Sequence, residues 1–413
     1  MSPYILSADA VRSALSVRDL ADPSSGPHAM QHLVDGVLSA LQEAWQIPVR
    51  VHRASPIVSL ADNYDRLHYP PDGAARDARY TRYVCDTAVL RTQMSAMIPG
   101  LLRALAAEPV DDILLACPGL VYRRDCIDRM HTGEPHQLDL WRIRRGPPLV
   151  EADLREMIDR VVQGALAEGP QSARRTYRAL ATSHPYTEGG LQIDVSAHGP
   201  EEGRQGKAPS RGSSRGSSDD APEAWVEIGE CGLALPALLA ESGLDPAAWS
   251  GLAMGLGLDR LVMLRKGLDD IRTLRATDPR IAAQMLDLSP YHAVSAMPPV
   301  HRDLSLVVEG DDTLEELGDR VRGALGTRAE VVEAVSLLSE TPCHALPEAA
   351  RARLGIRQGQ RNVLLRVTLR ALDRTLTHPE CNALRDTIYA ALHRGTVWHW
   401  ASHAAPGAAA PAG

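Results

Sequence analysis

Phenylalanine is missing altogether from this 413-residue sequence, so Tyr and Trp supply its whole aromatic content of 4%. The core must therefore obtain its volume from Leu, Val, Met, Tyr and Trp, which is feasible because cores tolerate such exchanges when total volume is kept. Lysine is nearly missing too, since every cation except Lys207 and Lys266 is arginine. Together with the Ala, Gly and Pro content, this pattern indicates biased coding rather than arginine chemistry.

Other absences exclude whole classes of protein. No apolar run approaches the roughly 18 residues needed to cross a membrane, and the N-terminus lacks the basic region and apolar block of a secretion signal. The six cysteines include no CxxC pair, so neither a zinc site nor a disulfide framework is indicated. We therefore expect a cytoplasmic protein of two or three domains. Its net charge of -8 leaves nucleic-acid binding to a local patch.

The richest polar window is Leu120 to Ile143, which lies between two apolar runs. ILLACPGL before the polar tip and HQLDLWRI after it predict an antiparallel hairpin with a long loop. In such a hairpin Arg123 and Asp125 share a strand face, as do Gln137 and Asp139. An arginine fork suits a phosphate or carboxylate, and a carboxylate accepts from an amine, so the four side chains fit an amino acid beside a nucleotide. An ordinary exposed hairpin fits them equally well.

Three segments carry a family resemblance. The run VYRRDCIDRMHTGEPHQLD resembles the second signature motif of class II aminoacyl-tRNA synthetases, in the form found in phenylalanyl-tRNA synthetases. GLAMGLGLDRLVMLR, whose glycines allow close backbone approach before a helix, resembles the third motif. LRTQMSAMIPGLLRAL is similar to a segment of the same family whose side chains help to bind the substrate amino acid. The resemblance runs from about residue 55 to 400, in the order of the compact single-chain mitochondrial enzyme.

This resemblance implies two steps, formation of an aminoacyl-adenylate from ATP and transfer of the acyl group to tRNA. Neither step needs a protein nucleophile, so catalysis is positioning and charge stabilisation. The implied catalytic residues are Arg123, on the substrate carboxylate and α-phosphate, and Arg260, on the distal phosphates. Glu227 is the implied Mg²⁺ ligand. The implied ATP-binding residues are Arg123, Asp125, Pro135, Glu227 and Arg260, and the amino-acid-binding ones are Gln93, Ser95, Gln137, Asp139, His184, Tyr186 and Ala253.

The sequence departs from the family inside the pocket. HPY at residues 184–186 replaces Phe-Pro-Phe, Pro135 replaces an adenine-stacking Phe, and Asp139 replaces Glu. A plain phenyl ring would bury polar side chains of the pocket without hydrogen bonds, which costs binding free energy. Gln93 and the HPY step therefore favour a hydroxylated or otherwise polar aromatic amino acid as substrate. Alternatively, selection on composition removed Phe and phenylalanine remains the substrate. A paralogue with a non-tRNA acceptor and a non-catalytic tRNA-binding relative also stay open.

We predict an α+β fold, with an antiparallel-sheet class II synthetase domain followed by a ferredoxin-like βαββαβ domain. The predicted segments are a helical extension (1–54), a catalytic domain (55–294) with a disordered insertion (198–223), an anticodon-binding-like domain (295–402) and a disordered tail (403–413). Within them, an apolar stripe predicts a helix from His28 to Trp45, and the last domain is expected to end in a short strand at 397–400. MPPVHRDLSLVV and LRVTLRALDRTLT carry the resemblance of the last domain. Its arginines, Arg366, Arg370 and Arg374 among them, would bind tRNA, unless they form only a solvated surface. We expect a monomer, although a dimer is possible.

Overall fold

The computed structural model describes residues 5–77, 79–108, 110–167, 176–196, 225–295 and 297–398. The predicted insertion (198–223) and tail (403–413) lie outside these residues. The chain forms two compact units. The first comprises Met1–Tyr122, Glu134–Leu268 and Gln284–Tyr291, and the second comprises Arg123–Gly133, Asp269–Ala283 and His292–Gly413. The units do not follow the predicted boundaries, since residues 1–54 belong with the first unit and part of the polar window with the second.

Several helices begin at a residue whose side chain accepts a hydrogen bond from the first turn, whereas others have no side-chain cap. The predicted helix from His28 to Trp45 is confirmed, with the His28 Nδ1 atom accepting from the Met30 amide, and Thr313 opens another helix with a capping box. No helix of the described residues is long and apolar enough to cross a membrane. The α-helices are α1 Ala8–Leu15, α2 Ala29–Trp45, α3 Leu60–Asn63, α4 Ile98–Leu105, α5 Glu151–Leu166, α6 Pro236–Glu241, α7 Leu258–Lys266, α8 Pro279–Ala282, α9 Leu314–Leu325, α10 Glu348–Leu354 and α11 His378–Leu392.

Thirteen strands in the described residues form three sheets. The first unit holds a seven-stranded sheet of order β1-β5-β6-β10-β9-β8-β7, in which only the β1–β5 pair is parallel, and a small sheet of order β2-β4-β3. The second unit holds an antiparallel sheet of order β11-β13-β12. The strands are β1 Val49–Val51, β2 Ile57–Ser59, β3 Tyr83–Cys85, β4 Ala88–Leu90, β5 Asp112–Leu120, β6 His136–Arg145, β7 Tyr177–Ala181, β8 Thr187–Ser196, β9 Trp225–Ala234, β10 Trp249–Gly257, β11 Val300–Glu309, β12 Val332–Pro342 and β13 Gln360–Leu369.

The predicted hairpin is present as the antiparallel pair β5–β6, whose last register partners are Leu120 and His136. The expectation that Arg123 and Asp125 share a strand face is wrong. The two strands end at Leu120 and His136. Beyond them the Val121 amide still donates across the hairpin to the Pro135 carbonyl at 2.9 Å, while the Tyr122 amide donates to the Arg91 carbonyl at 2.9 Å. Arg123 and Asp125 therefore lie in the loop rather than on a strand.

Helices α2 and α5 of the first unit approach each other backbone to backbone. A Cβ atom on Gly36 would lie 2.7 Å from the Gly164 carbonyl oxygen, and one on Gly164 would lie 2.6 Å from the Gly36 oxygen. A side chain at either glycine would push the helices apart. Strand β1 also joins the edge of the large sheet by pairing with β5. Residues 1–54 thus contribute to the fold of the first unit.

The second unit follows the order β11, α9, β12, α10, β13, α11. Its core combines apolar residues of these strands and helices with Ile127, which comes from the loop after β5. The predicted last strand at residues 397–400 is not seen at Val397 and Trp398, which have no strand partner, and residues 399–400 are outside the described part. The α+β class is confirmed, whereas the complete ferredoxin-like plan remains a prediction.

Candidate active site

One face of the large sheet places a glycine between two carboxylates, an arrangement that we call the trough. Asp139 on β6 is the register partner of Gly255 on β10, and Gly255 is the partner of Glu230 on β9. Directly paired residues project from the same face, so Asp139 and Glu230 flank a position without a side chain. A Cβ atom on Gly255 would lie 3.6 Å from the Asp139 Oδ1 atom. Glycine at this point leaves room for a ligand between the carboxylates.

A β-bulge brings a third carboxylate to the same face. Strict alternation would place Glu227 and Glu230, three residues apart, on opposite faces. In β8, however, Gln192 pairs with Glu230 and Asp194 pairs with Glu227, with a register shift between Ile193 and Asp194. The extra residue in β9 re-aims the strand, as bulges beside functional sites commonly do. Period-two reasoning missed Glu230 for this reason, and no local sequence signal marks the bulge.

Asp139 is the buried acid of the site, with 3% of its surface exposed. Its Oδ2 atom accepts a hydrogen bond from the Trp141 indole nitrogen at 3.0 Å. Burial raises the pKa of Asp139 to about 7, although hydrogen bonds from Trp141 and Ser95 act in the opposite direction. This carboxyl group therefore titrates near neutrality, where a bound ammonium group would favour its ionised form.

Gln137 joins two segments that are predicted to bind the amino acid. Its Oε1 atom accepts from the Met94 amide at 3.1 Å, which fixes the segment that holds Gln93 and Ser95 against β6. The amide of Gln93 has a protein partner at each end, since Oε1 accepts from the Tyr69 hydroxyl at 2.6 Å and Nε2 donates to the Asn63 carbonyl at 2.9 Å. Gln93 thus holds Tyr69 in place, and direct contact with substrate remains a prediction.

Tyr186 lies at the centre of an aromatic cluster. Its ring centroid is 6.0 Å from that of Trp141, 6.1 Å from that of Tyr69 and 6.0 Å from that of His184. Ala253 is the register partner of Trp141, so it lies on the same face beneath the cluster. Sequence reasoning missed Trp141, although its spacing of two from Asp139 places it on the site face. The bulky Trp141 indole therefore limits the space beside Ala253 on this face of the sheet.

His184 is paired with a carboxylate that the sequence analysis did not include. Its Nε2 atom lies 2.8 Å from the Glu230 carboxylate, and its Nδ1 atom is 3.2 Å from the Thr187 hydroxyl. The Nε2 contact is poorly aligned for a hydrogen bond, so it is an electrostatic pairing rather than a directed bond. Glu230 keeps 43% of its side chain exposed, against 10% for His184. The HPY step therefore presents a polar, partly charged wall to the trough.

Arg260 and Glu227 form the other end of the trough. The Arg260 Nη1 atom donates to the Glu227 carbonyl at 3.2 Å and is 3.7 Å from the Glu227 carboxylate. Asp259, the neighbour of Arg260 on α7, accepts from both the backbone amide and the Nδ1 atom of His136, which follows Pro135. An exposed carboxylate beside an arginine fits a Mg²⁺ ion shared with phosphates, because Mg²⁺ usually takes one or two protein carboxylates.

The remaining predicted residues lie in the second unit. The Asp125 Oδ1 atom accepts from the Cys126 amide at 2.9 Å, and Arg123 is bonded through its backbone to Gly133 at 3.0 Å. Roles for these two residues in ATP binding remain predictions. The three predicted tRNA-binding arginines each face a carboxylate. The pairs are Arg366 with Asp303 at 2.8 Å, Arg370 with Glu333 at 2.6 Å and Arg374 with Glu380 at 2.9 Å.

A largely antiparallel sheet that carries a buried carboxylate, a glycine trough and an arginine at a helix start defines a candidate amino-acid-activating core. The family of tRNA synthetases class II core domain (F) matches residues 23–285. Because this match covers well over half of the chain, the protein belongs to that family. The class II synthetase core predicted from the sequence is confirmed.

Curated relatives carry one recurring name, "Phenylalanine--tRNA ligase alpha subunit". The protein of Prochlorococcus marinus (strain MIT 9313) is 32% identical over 268 residues, which are 64% of this chain and 69% of that protein. The protein of Limosilactobacillus reuteri (strain DSM 20016) is 28% identical over 261 residues, 62% of this chain and 68% of that protein. The Streptomyces avermitilis protein is 33% identical over 233 residues and is covered over 59% of its length. In each of these matches about a third or more of the relative's own length lies outside the matched region.

Proposed function

We propose that this chain is an aminoacyl-tRNA ligase of the phenylalanine type, which uses ATP and Mg²⁺ to activate phenylalanine or a related polar aromatic amino acid and transfers it to tRNA. The observation that carries the proposal is the buried Asp139 carboxylate beside the trough at Gly255. A buried acid that titrates near neutrality suits an ammonium group. The family membership supports the same reaction.

In the proposed reaction a substrate carboxylate oxygen bonds to the α-phosphorus of ATP and pyrophosphate leaves. A ribose hydroxyl of tRNA then attacks the acyl carbon and AMP leaves. Asp139 and Gln137 would hold the substrate ammonium group, Glu227 would hold Mg²⁺, and Arg260 would bind the distal phosphates. When bound, Mg²⁺ supplies charge that neutralises the phosphates. The roles of Arg123, at the carboxylate and α-phosphate, and of Asp125, at the adenine, rest on the family resemblance alone.

The polar wall favours a polar aromatic substrate over phenylalanine. Glu230 and His184 pair beside Tyr186, and a ring hydroxyl could donate to the Glu230 carboxylate, whereas a plain phenyl ring offers this polar pair no hydrogen bond. The absence of phenylalanine from the entire sequence supports the other alternative, in which His184 and Tyr186 substitute for the family's Phe residues and the substrate remains phenylalanine.

Amino-acid-dependent ATP–pyrophosphate exchange with the purified chain tests both the reaction and the substrate. We expect exchange with an aromatic amino acid, and stronger exchange with a ring-hydroxylated one than with phenylalanine. The double variant His184→Phe/Tyr186→Phe should switch the preference toward phenylalanine. If it leaves phenylalanine activation unchanged and phenylalanine is already the best substrate, the composition alternative is correct. Absence of exchange with any amino acid would contradict the proposal for the chain acting alone.

The second candidate function belongs to a different class, a synthetase paralogue with a non-tRNA acceptor or a non-catalytic tRNA-binding relative. The presence of Arg260 and Glu227 beside each other favours a catalyst. Filter-binding of total tRNA, followed by sequencing of the acylated fraction, distinguishes these possibilities. We propose a cytoplasmic monomer. Because the relatives are named as alpha subunits, the same exchange assay with and without a co-purified partner chain tests whether a second subunit is required.

A further inference from the structure

The loop Arg123–Gly133 of the second unit brings together three side chains that ligate metals. One ligand atom each from Asp125, Cys126 and His131 lies within 4.8 Å of the other two. The Cys126 sulfur is 3.6 Å from the Asp125 Oδ1 atom. Two such ligands on a tetrahedral Zn²⁺ ion, with bonds of about 2.3 Å to sulfur and about 2.1 Å to oxygen, lie about 3.6 Å apart. The observed spacing therefore already suits the ion.

A fourth residue supports two of these ligands. The carboxylate of Asp128 lies 2.8 Å from the His131 Nδ1 atom and 3.6 Å from the Cys126 sulfur. Histidines that bind metals usually make a second contact to a carboxylate, which fixes the orientation and the tautomer of the ring. Asp128 stands in this position relative to His131, and it is a positioning residue rather than one of the three ligands.

The backbone that carries the ligands is held in place by the rest of the second unit. The Arg322 guanidinium donates to the carbonyl oxygens of Asp125 at 2.7 Å and Cys126 at 2.8 Å. Between the ligand positions Ile127 is buried in the core, and its carbonyl accepts from the Val335 amide at 2.9 Å. Because these protein contacts hold the loop, little conformational freedom remains to be lost on metal binding.

We propose that Asp125, Cys126 and His131 form a Zn²⁺ site, with Asp128 orienting the imidazole. A thiolate, an imidazole and a carboxylate are together typical of zinc, whereas Mg²⁺ and Ca²⁺ take oxygen ligands. Three protein ligands leave a fourth position for water or a ligand oxygen. Binding replaces the thiol proton of Cys126 with the metal, and that proton passes to solvent. The segment DCIDRMH contains no CxxC pair, which is why its spacing does not indicate a zinc site.

Titration of the full-length chain with Zn²⁺ against a chromophoric chelator tests the proposal. We expect one equivalent to bind, and Co²⁺ at the same site to show a thiolate-to-cobalt charge-transfer band with the visible absorption of a tetrahedral ion. Cys126→Ser should abolish that band, and Cys126→Ser and His131→Gln should each weaken Zn²⁺ binding at least about 100-fold. Asp128→Asn should weaken it about 10- to 100-fold and keep the band.

Cys343→Ser is the matched control, because Cys343 is another partly buried thiol of the second unit; its Co²⁺ spectrum and Zn²⁺ affinity should equal those of the wild type. Thermal melting of each variant identifies loss of fold as a separate cause. Absence of stoichiometric binding, or a Co²⁺ spectrum that survives Cys126→Ser, would overturn the proposal. Since the readout is metal binding, failure of the ligase assay leaves this proposal untouched. The two proposals differ over Asp125 alone, because a carboxylate that ligates Zn²⁺ does not also bind the adenine, and stoichiometric Zn²⁺ binding would assign Asp125 to the metal.

Discussion

The indole nitrogen of Trp141 donates to the carboxylate of Asp139 at 3.0 Å, and both side chains are almost completely removed from water. The two residues project from one face of β6 because they are two positions apart. Trp141 also packs against Tyr186, so the same side chain holds the acid and closes the aromatic compartment. The position of the Asp139 carboxylate and the space beside Tyr186 therefore both depend on Trp141.

Replacement of Asp139 by Asn should remove a pH dependence of stability. Burial raises the pKa of Asp139 to about 7 in the folded protein, from an ordinary value near 3.8. The contribution of Asp139 to the free energy of unfolding is therefore fully present below pH 3.8 and is lost as the pH rises through about 7. Between about pH 5 and pH 8 the wild type should lose up to roughly 3 kcal/mol of unfolding free energy relative to Asp139→Asn. Urea unfolding of both proteins at the two pH values measures this difference. Parallel changes in the two proteins would show that Asp139 titrates normally.

Substrate binding should follow the opposite trend. In the proposed function the ammonium group requires ionised Asp139, so KM for the amino acid should fall as the pH rises through about 7. Exchange assays across this range measure KM, with ATP held saturating. A KM that is constant from about pH 6 to pH 8 would separate Asp139 from amine recognition.

The apolar spacing of the sequence predicted those helices and strands whose formation depends on nearby residues. The helix after His28, the hairpin β5–β6 and the first five elements of the predicted βαββαβ order follow from apolar spacing and caps. Helix α10 was not predicted, and the predicted last strand is not seen at Val397 and Trp398. The bulge that turns Glu230 toward the trough depends on the partner strand, which the sequence of β9 alone does not specify. Likewise, the loop with Asp125 joins the second unit through Arg322, almost 200 residues away.

Glu230→Gln should alter substrate choice rather than general activity. The Glu230 carboxylate can accept a hydrogen bond from a ring hydroxyl, and a bond to a charged group contributes about 1.5–3 kcal/mol. We therefore expect kcat/KM for a ring-hydroxylated amino acid to fall about 10- to 100-fold, and kcat/KM for phenylalanine to change little. Glu241→Gln is the control, because Glu241 forms a comparable pair with His68 at 3.1 Å elsewhere in the first unit. Equal losses for both substrates would assign Glu230 a structural role.

Arg260→Ala should impair ATP use without unfolding the protein. Removal of one charge-stabilising donor commonly lowers the rate about 10²- to 10³-fold, and the pair of Arg260 with Glu227 is too exposed to add much stability. Pyrophosphate exchange at varied ATP should show the loss in kcat/KM for ATP, with an unchanged melting temperature. Arg155→Ala, on the surface of α5, should behave as the wild type. A normal kcat/KM in Arg260→Ala would remove this residue from the phosphate site.

Glu227→Gln tests the proposed Mg²⁺ ligand separately. Loss of the charged oxygen should raise the Mg²⁺ concentration needed for half-maximal exchange by about tenfold or more, because Mg²⁺ strongly prefers carboxylates. At saturating Mg²⁺ much of the activity should return. An unchanged Mg²⁺ requirement would place the ion on ATP alone, without a ligand from Glu227.

The predicted tRNA-binding arginines should divide into two kinds. Arg370 contacts Glu333 at 2.6 Å and Asp270 at 3.7 Å, and both carboxylates are buried. Arg370→Ala should therefore destabilise the second unit by about 1–3 kcal/mol, since it leaves buried acids with fewer partners. The pairs of Arg366 with Asp303 and of Arg374 with Glu380 are exposed by comparison.

Arg366→Ala and Arg374→Ala should leave the melting temperature unchanged and each reduce the slope of log affinity for tRNA against log salt by about 1. Filter-binding at several salt concentrations, with a thermal melt of each variant, separates the two effects. Asp303→Asn provides the complementary change, because it releases the Arg366 guanidinium and should strengthen tRNA binding at low salt. If neither exposed arginine affects the slope, the arginines of the second unit form a solvated surface and tRNA contacts another part of the chain.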